Sequence, residues 1–149
     1  MANSTQYAKT VAASPSKIST TELHGRVRIA YADFTAAGAQ ETINMFKLPD
    51  GARIIGGRAN HAALGSGTTL SVGHAAYVNA AGTTVVADVD EYKAAAASTG
   101  AVGFNIAATT ALGENSVVDA PDGLIITATT AGGSNATGFL SVQMTYVLD

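Results

Sequence analysis

The fold is decided by a stretch near the C-terminus, Phe139-Leu140-Ser141-Val142-Gln143-Met144-Thr145-Tyr146-Val147-Leu148. Large apolar side chains recur at every second position from Leu140 to Leu148, and small or polar residues stand between most of them. In an extended chain, alternate side chains point to opposite faces. The stretch therefore predicts a β-strand with one face in a core and the other in water.

The same reasoning predicts further strands upstream. Val27, Ile29 and Tyr31 alternate with Arg26, Arg28 and Ala30, which indicates a strand with one wet face. Turns are predicted at Pro49-Asp50-Gly51 and Ser66-Gly67, and a bulge at Gly56-Gly57. The other predicted strands cover residues 41–48, 52 onward, 68–73, 83–87, 102–108 and 124–130.

One segment, Asp88 to Ser98, has the pattern of a helix. Asp88 is placed to cap the N-terminus, and Glu91 follows three residues later, as in a capping box. Four alanines come next, and Gly100 is placed to end the helix.

About eight short strands separated by Gly, Pro and Asn turns predict an all-β, antiparallel β-sandwich that resembles a jelly roll, with one short helix. We expect a sandwich domain over residues 22–149 and an extended N-terminal arm over residues 1–21. The arm is either a disordered terminus or a segment that becomes ordered on a neighbouring subunit.

The composition excludes several functions. Only 13% of the residues are charged, the net charge is −3, and the basic residues are scattered from Lys9 to Lys93, so a nucleic-acid partner is not expected. There is no cysteine for a disulfide or a thiolate metal site. No run approaches the roughly 20 apolar residues of a membrane span, and the polar N-terminus has no secretory signal pattern, so we expect synthesis in a cytoplasm.

The motifs of the common catalytic and nucleotide-binding sites are absent. His61 and His74 flank the Ser66-Gly67 turn and could lie on paired strands, with His24 as a third histidine. The carboxylates of Asp88, Asp90 and Glu91 lack the spacing of a calcium loop. We therefore predict no catalytic residues, no bound metal and no cofactor, and so no enzyme.

Three segments resemble small virion proteins of tailed bacteriophages, including marine and cyanobacterial phages, of the capsid decoration or cement type. These segments are residues 43–57, which contain Leu48-Pro49-Asp50-Gly51-Ala52-Arg53, residues 69–73 and residues 136–142. The resemblance implies a jelly roll or sandwich on the capsid surface of a virion, where it binds the major capsid protein and copies of itself, often as a trimer. It implies no catalytic residues.

For such a protein, we expect the interface to include the arm, with Tyr7 and Ile18 as large anchors, and Arg26 and Arg28 at the start of the first strand. The alternative is a tail or fibre module that recognises carbohydrate or a host surface. Its candidate aromatic platforms are Tyr31, Tyr77 and Tyr92, since the chain has no tryptophan.

Overall fold

The computed structural model describes residues 26–38, 40–133 and 135–148. Nearly all regular structure in these ranges is extended, apart from a 3₁₀ turn at Thr110–Leu112. The strands are β1 Arg26–Ala37, β2 Thr42–Leu48, β3 Arg53–His61, β4 Thr69–His74, β5 Tyr77–Val78, β6 Thr84–Val85, β7 Asp88–Ala97, β8 Val102–Ile106, β9 Leu124–Ala131 and β10 Thr137–Leu148.

Eight of these strands form two four-stranded antiparallel sheets, in the orders β1-β10-β3-β8 and β2-β9-β4-β7. Successive strands alternate between the two sheets except at β4 and β7, which are neighbours in the second sheet and have the β5-β6 hairpin inserted between them. This order, with eight strands in two facing sheets, is that of a jelly roll. The predicted all-β sandwich is therefore confirmed.

The core lies between the two sheets and uses the predicted face of β10. Leu140, Val142 and Met144 are fully buried, and Tyr146 and Leu148 pack against the same core. The facing sheet contributes Leu70 and Val72 from β4 and neighbouring apolar residues from β9. Interdigitation of two inner faces in this way supplies most of the hydrophobic stabilisation of a sandwich.

The first strand forms where expected, but its wet face is the apolar one. The side chains of Val27, Ile29 and Tyr31 are 63%, 65% and 57% exposed. The cause is the pairing with β10, in which Ala30 lies opposite buried Met144 and Ala32 opposite buried Val142. Paired residues of an antiparallel ladder point to the same face, so the intervening apolar residues of β1 must point outward.

The helix predicted over Asp88–Ser98 is wrong, because residues Asp88–Ala97 form β7. This strand pairs with β4 through two register shifts, from His74 opposite Asp88 to Thr69 opposite Ala97. Alanine favours a helix over other ordinary residues by only about 0.7 kcal/mol or less per position. Pairing with β4 and burial of the Tyr92 ring in the core outweigh that preference.

The predicted turns and the bulge are confirmed. Gly51 has a φ of 75°, which favours glycine, and it closes the turn between β2 and β3. The bulge in β3 lies opposite Thr145 and Tyr146 of β10, where the register shifts. Ile55, which the register skips, is exposed, whereas Ile54 is in the core.

The close approach of β4 and β7 gives a test of the strand assignment. A Cβ atom at Gly73 would overlap the carbonyl oxygen of Asp88 and would lie 2.7 Å from the amide nitrogen of Asp90. Because these are backbone atoms, Gly73→Ala must displace β7, and we expect a loss of about 1–3 kcal/mol in the free energy of unfolding.

Gly100→Ala is the matched control, since a Cβ there meets no atom within 4 Å. It should change the free energy of unfolding by less than about 0.5 kcal/mol. Chemical denaturation of both variants measures the difference. Equal stability of Gly73→Ala and the wild type would contradict the pairing of β4 with β7.

Candidate interaction surface

The N-terminal half of β1 carries a group of exposed side chains that we call the β1 surface: Arg26, Val27, Arg28, Ile29 and Tyr31. Large apolar side chains exposed side by side on one strand are unusual for a surface that stays in water, because each exposed apolar area costs about 25 cal/mol per Å². The β1 surface is therefore the best candidate for a covered surface.

Two of the predicted interface residues, Arg26 and Arg28, are also exposed. They do not lie on the outer face with Val27, so their exposure has a different cause. They lie on the side of β1 that faces the other sheet, in line with Ala30. However, β1 has twelve residues and β2 only seven, so the first residues of β1 extend past the facing strand. Neither guanidinium group has a hydrogen bond or an ion pair with the described residues, which leaves both free to bind a partner.

The exposed apolar side chains of β1 form a strip that continues onto the neighbouring strand β10, and a charged side chain of β3 lies beside this strip. Val147 of β10 lies opposite Val27, and Arg53 of β3 lies on the other side of Val147. The Arg53 side chain is fixed by a 3.0 Å hydrogen bond from its Nη1 to the carbonyl oxygen of Asn115. The result is an apolar strip with positive charge beside it.

Tyr7 and Ile18, the predicted anchors in the arm, lie outside the described residues. Their role as interface residues therefore stays a prediction.

The histidines do not come together on paired strands. His61 ends β3 in the first sheet and His74 ends β4 in the second, so that expectation was wrong. Each ring is held locally: Nδ1 of His61 lies 2.7 Å from the oxygen of Ala62, and Nδ1 of His74 lies 2.9 Å from the oxygen of Ala75. His24 lies outside the described residues.

The acidic residues predicted to cap a helix lie at the start of β7 instead. The backbone N–H of Asp90 donates to Oδ1 of Asp88 over 3.1 Å, and this bond lowers the pKa of the Asp88 carboxyl. The hydrogen bond between the two carboxyl groups raises the pKa of Asp90. Within the described ranges, no group of three or more His, Asp and Glu side chains is arranged to hold a metal ion.

Beside this acidic segment are two exposed apolar side chains that the sequence interpretation did not single out. Val86 is 76% exposed and Val89 is 41% exposed. We call Val86, Asp88, Val89 and Asp90 the β7 surface. The sequence does contain a signal for a strand here, because valine favours strands. The capping pattern of Asp88 and Glu91 favoured a helix instead.

Two concave parts of the surface lie among the described residues. A cavity of about 100 Å³ near His74 and Tyr92 is below the usual size of a ligand pocket. A hollow of about 370 Å³ lies at the surface, between the Pro49-Asp50 turn and the start of β9.

Burial raises the pKa of Tyr92, whose ring is in the core.

Comparison with known structures finds the same fold in proteins from phage capsids. A chain of the cyanophage Pam1 capsid asymmetric unit matches with a TM-score of 0.61 and 20% identity, over 84% of this chain and 86% of that one. A chain of the Ralstonia phage GP4 capsid matches with a TM-score of 0.63 and 19% identity, over the same shares. A chain of the acid-stable capsid of the Helicobacter pylori bacteriophage KHP30 matches with a TM-score of 0.56 and 13% identity, over 82% and 87%.

The likeness is one of fold, since fewer than a quarter of the aligned residues are identical. No protein-family model matches the chain, and no curated protein matches it significantly in sequence. Within the described ranges there is no helix of the length and hydrophobicity needed to cross a membrane.

The neighbouring carboxyl groups of Asp88 and Asp90 give a test of the local geometry. In Asp88→Asn, the neighbouring negative charge is removed, so the pKa of Asp90 should fall toward the ordinary value for aspartate. Carboxyl ¹³C NMR titration measures it. Asp33→Asn, on the opposite sheet, is the control and should leave the pKa of Asp90 unchanged. An unchanged pKa in Asp88→Asn would show that the two carboxyl groups are apart.

Proposed function

We propose that this chain is a structural protein of a phage virion that attaches to the capsid exterior and stabilises it, without enzymatic activity. The observation that carries the proposal is the shared fold with chains from three phage capsid structures, over more than four fifths of each chain. The coverage is nearly equal in both directions, so the matched chains are similar in length to this one. The choice of decoration over other capsid roles rests on the sequence resemblance of residues 43–57.

The fold suits a load-bearing module. β1 and β10 pair over twelve residues, and the bonds of an antiparallel ladder lie perpendicular to the strands. A pull along β1 from residues 1–25 would therefore load many of these bonds together. An arm that binds a neighbour would transmit force into the most extensive ladder of the first sheet.

The partners we propose are the major capsid protein and further copies of this chain. Exposed apolar side chains and unpaired arginines on one strand suit a surface that becomes buried on assembly. Tyr7 and Ile18 in the arm are the anchors proposed for capsid binding, because large side chains concentrate the energy of an interface.

The alternative function, carbohydrate recognition, receives less support from the placement of its three tyrosines. Tyr92 is buried, and Tyr31 lies on the outer face of the first sheet. Tyr77 packs against His74 with ring centroids 5.4 Å apart. The three rings therefore do not form one accessible platform for a sugar.

Co-sedimentation with capsid shells of the same phage tests the proposal. The full-length protein should sediment with shells up to a fixed number of copies per shell and should protect the shells against heat. A protein that stays in the supernatant at all concentrations would contradict the proposed function.

Deletion of residues 1–20 tests the role of the arm. The truncated protein should retain the thermal unfolding midpoint of the full chain but bind shells at least tenfold more weakly. Tyr7→Ser/Ile18→Ser should reproduce most of the loss, whereas Thr5→Ser/Ser16→Thr should bind as the wild type does. Unchanged binding of the truncated protein would overturn the role of the arm.

A further inference from the structure

A half-buried aromatic side chain borders a second hollow, of about 270 Å³, which we call the Tyr77 hollow. Its walls are Lys47 and Ile125 from the second sheet, Tyr77 and Val78 from the β5-β6 hairpin, and Asp122 and Gly123 from the turn before β9. It shares Lys47, Asp122 and Gly123 with the hollow of about 370 Å³ beside the Pro49-Asp50 turn, so the two hollows adjoin.

The Tyr77 hollow lies on the opposite face of the sandwich from the exposed apolar side chains of β1. Lys47 of β2 lies opposite Ile125 of β9, and the next residues along the two strands, Leu48 and Ile126, are buried in the core. Because successive side chains of a strand point to opposite faces, Lys47 and Ile125 point away from the first sheet. A contact made through Val27 on the outer face of the first sheet therefore does not cover this hollow.

The Tyr77 side chain is held in place before any ligand binds. Tyr77 pairs with Val85 of β6, and its ring makes a T-shaped contact with the ring of His74, with centroids 5.4 Å apart. The end of the hairpin is fixed as well, because the backbone N–H of Ala80 donates to Oδ1 of Asp119 over 3.1 Å. A side chain that is already ordered loses little conformational entropy when it binds a ligand.

An ammonium group and a carboxylate stand in the Tyr77 hollow. The side chains of Lys47 and Asp122 have no hydrogen bond or ion pair with any described residue. The Lys47 stem lies over Gly123, where a Cβ atom would come within 2.7 Å of Cε of the lysine. The adjoining hollow adds the carboxylate of Asp50, whose Oδ1 accepts a 2.8 Å hydrogen bond from the N–H of Ala120. The charged groups of the two hollows are therefore one ammonium and two carboxylates.

We propose that the Tyr77 hollow binds a neutral sugar, either a free hexose or one hexose of a glycan. A hexose has an apolar C–H face and a rim of hydroxyl groups, each of which both donates and accepts hydrogen bonds. The Tyr77 ring would cover the C–H face, the Lys47 ammonium would donate to one hydroxyl, and the Asp122 carboxylate would accept from another. The hollow is slightly smaller than the roughly 300 Å³ at which pockets for drug-sized ligands begin, which suits one hexose.

Other classes of ligand match the Tyr77 hollow less well. A purely apolar ligand would desolvate Lys47 and Asp122 without giving either one a hydrogen bond, which is unfavourable. An anion would meet the carboxylates of Asp50 and Asp122 with only one ammonium group in compensation. An amine would leave the Lys47 ammonium without an acceptor. A neutral ligand rich in hydroxyl groups satisfies the ring, the ammonium group and the carboxylate together.

This site goes beyond the proposed virion role and does not depend on it. It uses one aromatic ring, so it does not need the three tyrosines of the chain to form a common platform. If the shell or a neighbouring copy covers the β1 surface, the Tyr77 hollow lies on the opposite face of the sandwich. The chain could then bind a sugar while it remains attached to the particle.

An NMR titration of the full-length ¹⁵N-labelled protein with glucose, galactose, mannose and N-acetylglucosamine tests the site. At least one of these sugars should shift the backbone amide signals of Val78, Gly123 and Ile125. The expected Kd is on the order of 1 mM, as for a ligand of about twelve non-hydrogen atoms. A trisaccharide of the same sugar that binds about tenfold more tightly would identify a glycan as the source, because it would also fill the adjoining hollow. Equal affinity would identify the free hexose.

Substitutions in the hollow locate the binding groups. Tyr77→Leu removes the ring and should weaken binding about fivefold, whereas Tyr77→Phe keeps the ring and should bind as the wild type does. Asp122→Asn should weaken binding about tenfold, because it replaces a charged acceptor by a neutral one. Tyr31→Leu and Asp33→Asn make the same changes on the outer face of the first sheet and should leave binding unchanged.

Thermal unfolding shows which variants are folded, and if Tyr77→Leu is not, Asp122→Asn decides, since its side chain has no hydrogen bond with the described residues. The site would be overturned by an absence of amide shifts at about 50 mM of all four sugars. Shifts confined to residues outside the hollow, or unchanged binding in Asp122→Asn, would overturn it too. A protein that sediments with shells but binds none of these sugars would overturn this site alone and leave the proposed virion role standing.

Discussion

The pairing of the first described strand with the last is the constraint on which the rest of the structure depends. β1 and β10 come from opposite ends of the described chain, yet they pair without a register shift from Arg26 opposite Leu148 to Ala37 opposite Thr137. A slip of one residue would turn every side chain of β1 to the other face. The register therefore turns the half-buried Ala30 and Ala32 toward the core and leaves Val27, Ile29 and Tyr31 exposed on the outer face.

The sequence predicts β10 well because its alternation of large and small side chains is unambiguous. It predicts β1 as a strand but not which face turns inward, because the pairing with β10 makes that choice: Ala30 and Ala32 lie opposite buried Met144 and Val142. It fails at β7, where the alanines and the Asp88 cap favour a helix locally but pairing with β4 decides the outcome. The β7 surface could not be found while Asp88 was interpreted as a cap, since its carboxylate stands beside Val86 and Val89 only in a strand.

Together, these features describe a module that interacts with other molecules through its surfaces. The core is filled mainly by aliphatic side chains from two sheets, and Nδ1 of His61 and Nδ1 of His74 each lie within hydrogen-bond distance of an adjacent carbonyl oxygen. Charge is sparse in the sequence, at 13% of the residues.

The most direct test of this account is a cryo-electron microscopy reconstruction of the virion at a resolution that shows strands. The account predicts single jelly rolls on the outer surface of the shell, with the β1 surface of each copy covered by the shell or by an adjacent copy and residues 1–25 in contact with one of them. A jelly roll located in the tail or the portal, or a copy on the shell whose β1 surface faces solvent, would contradict it.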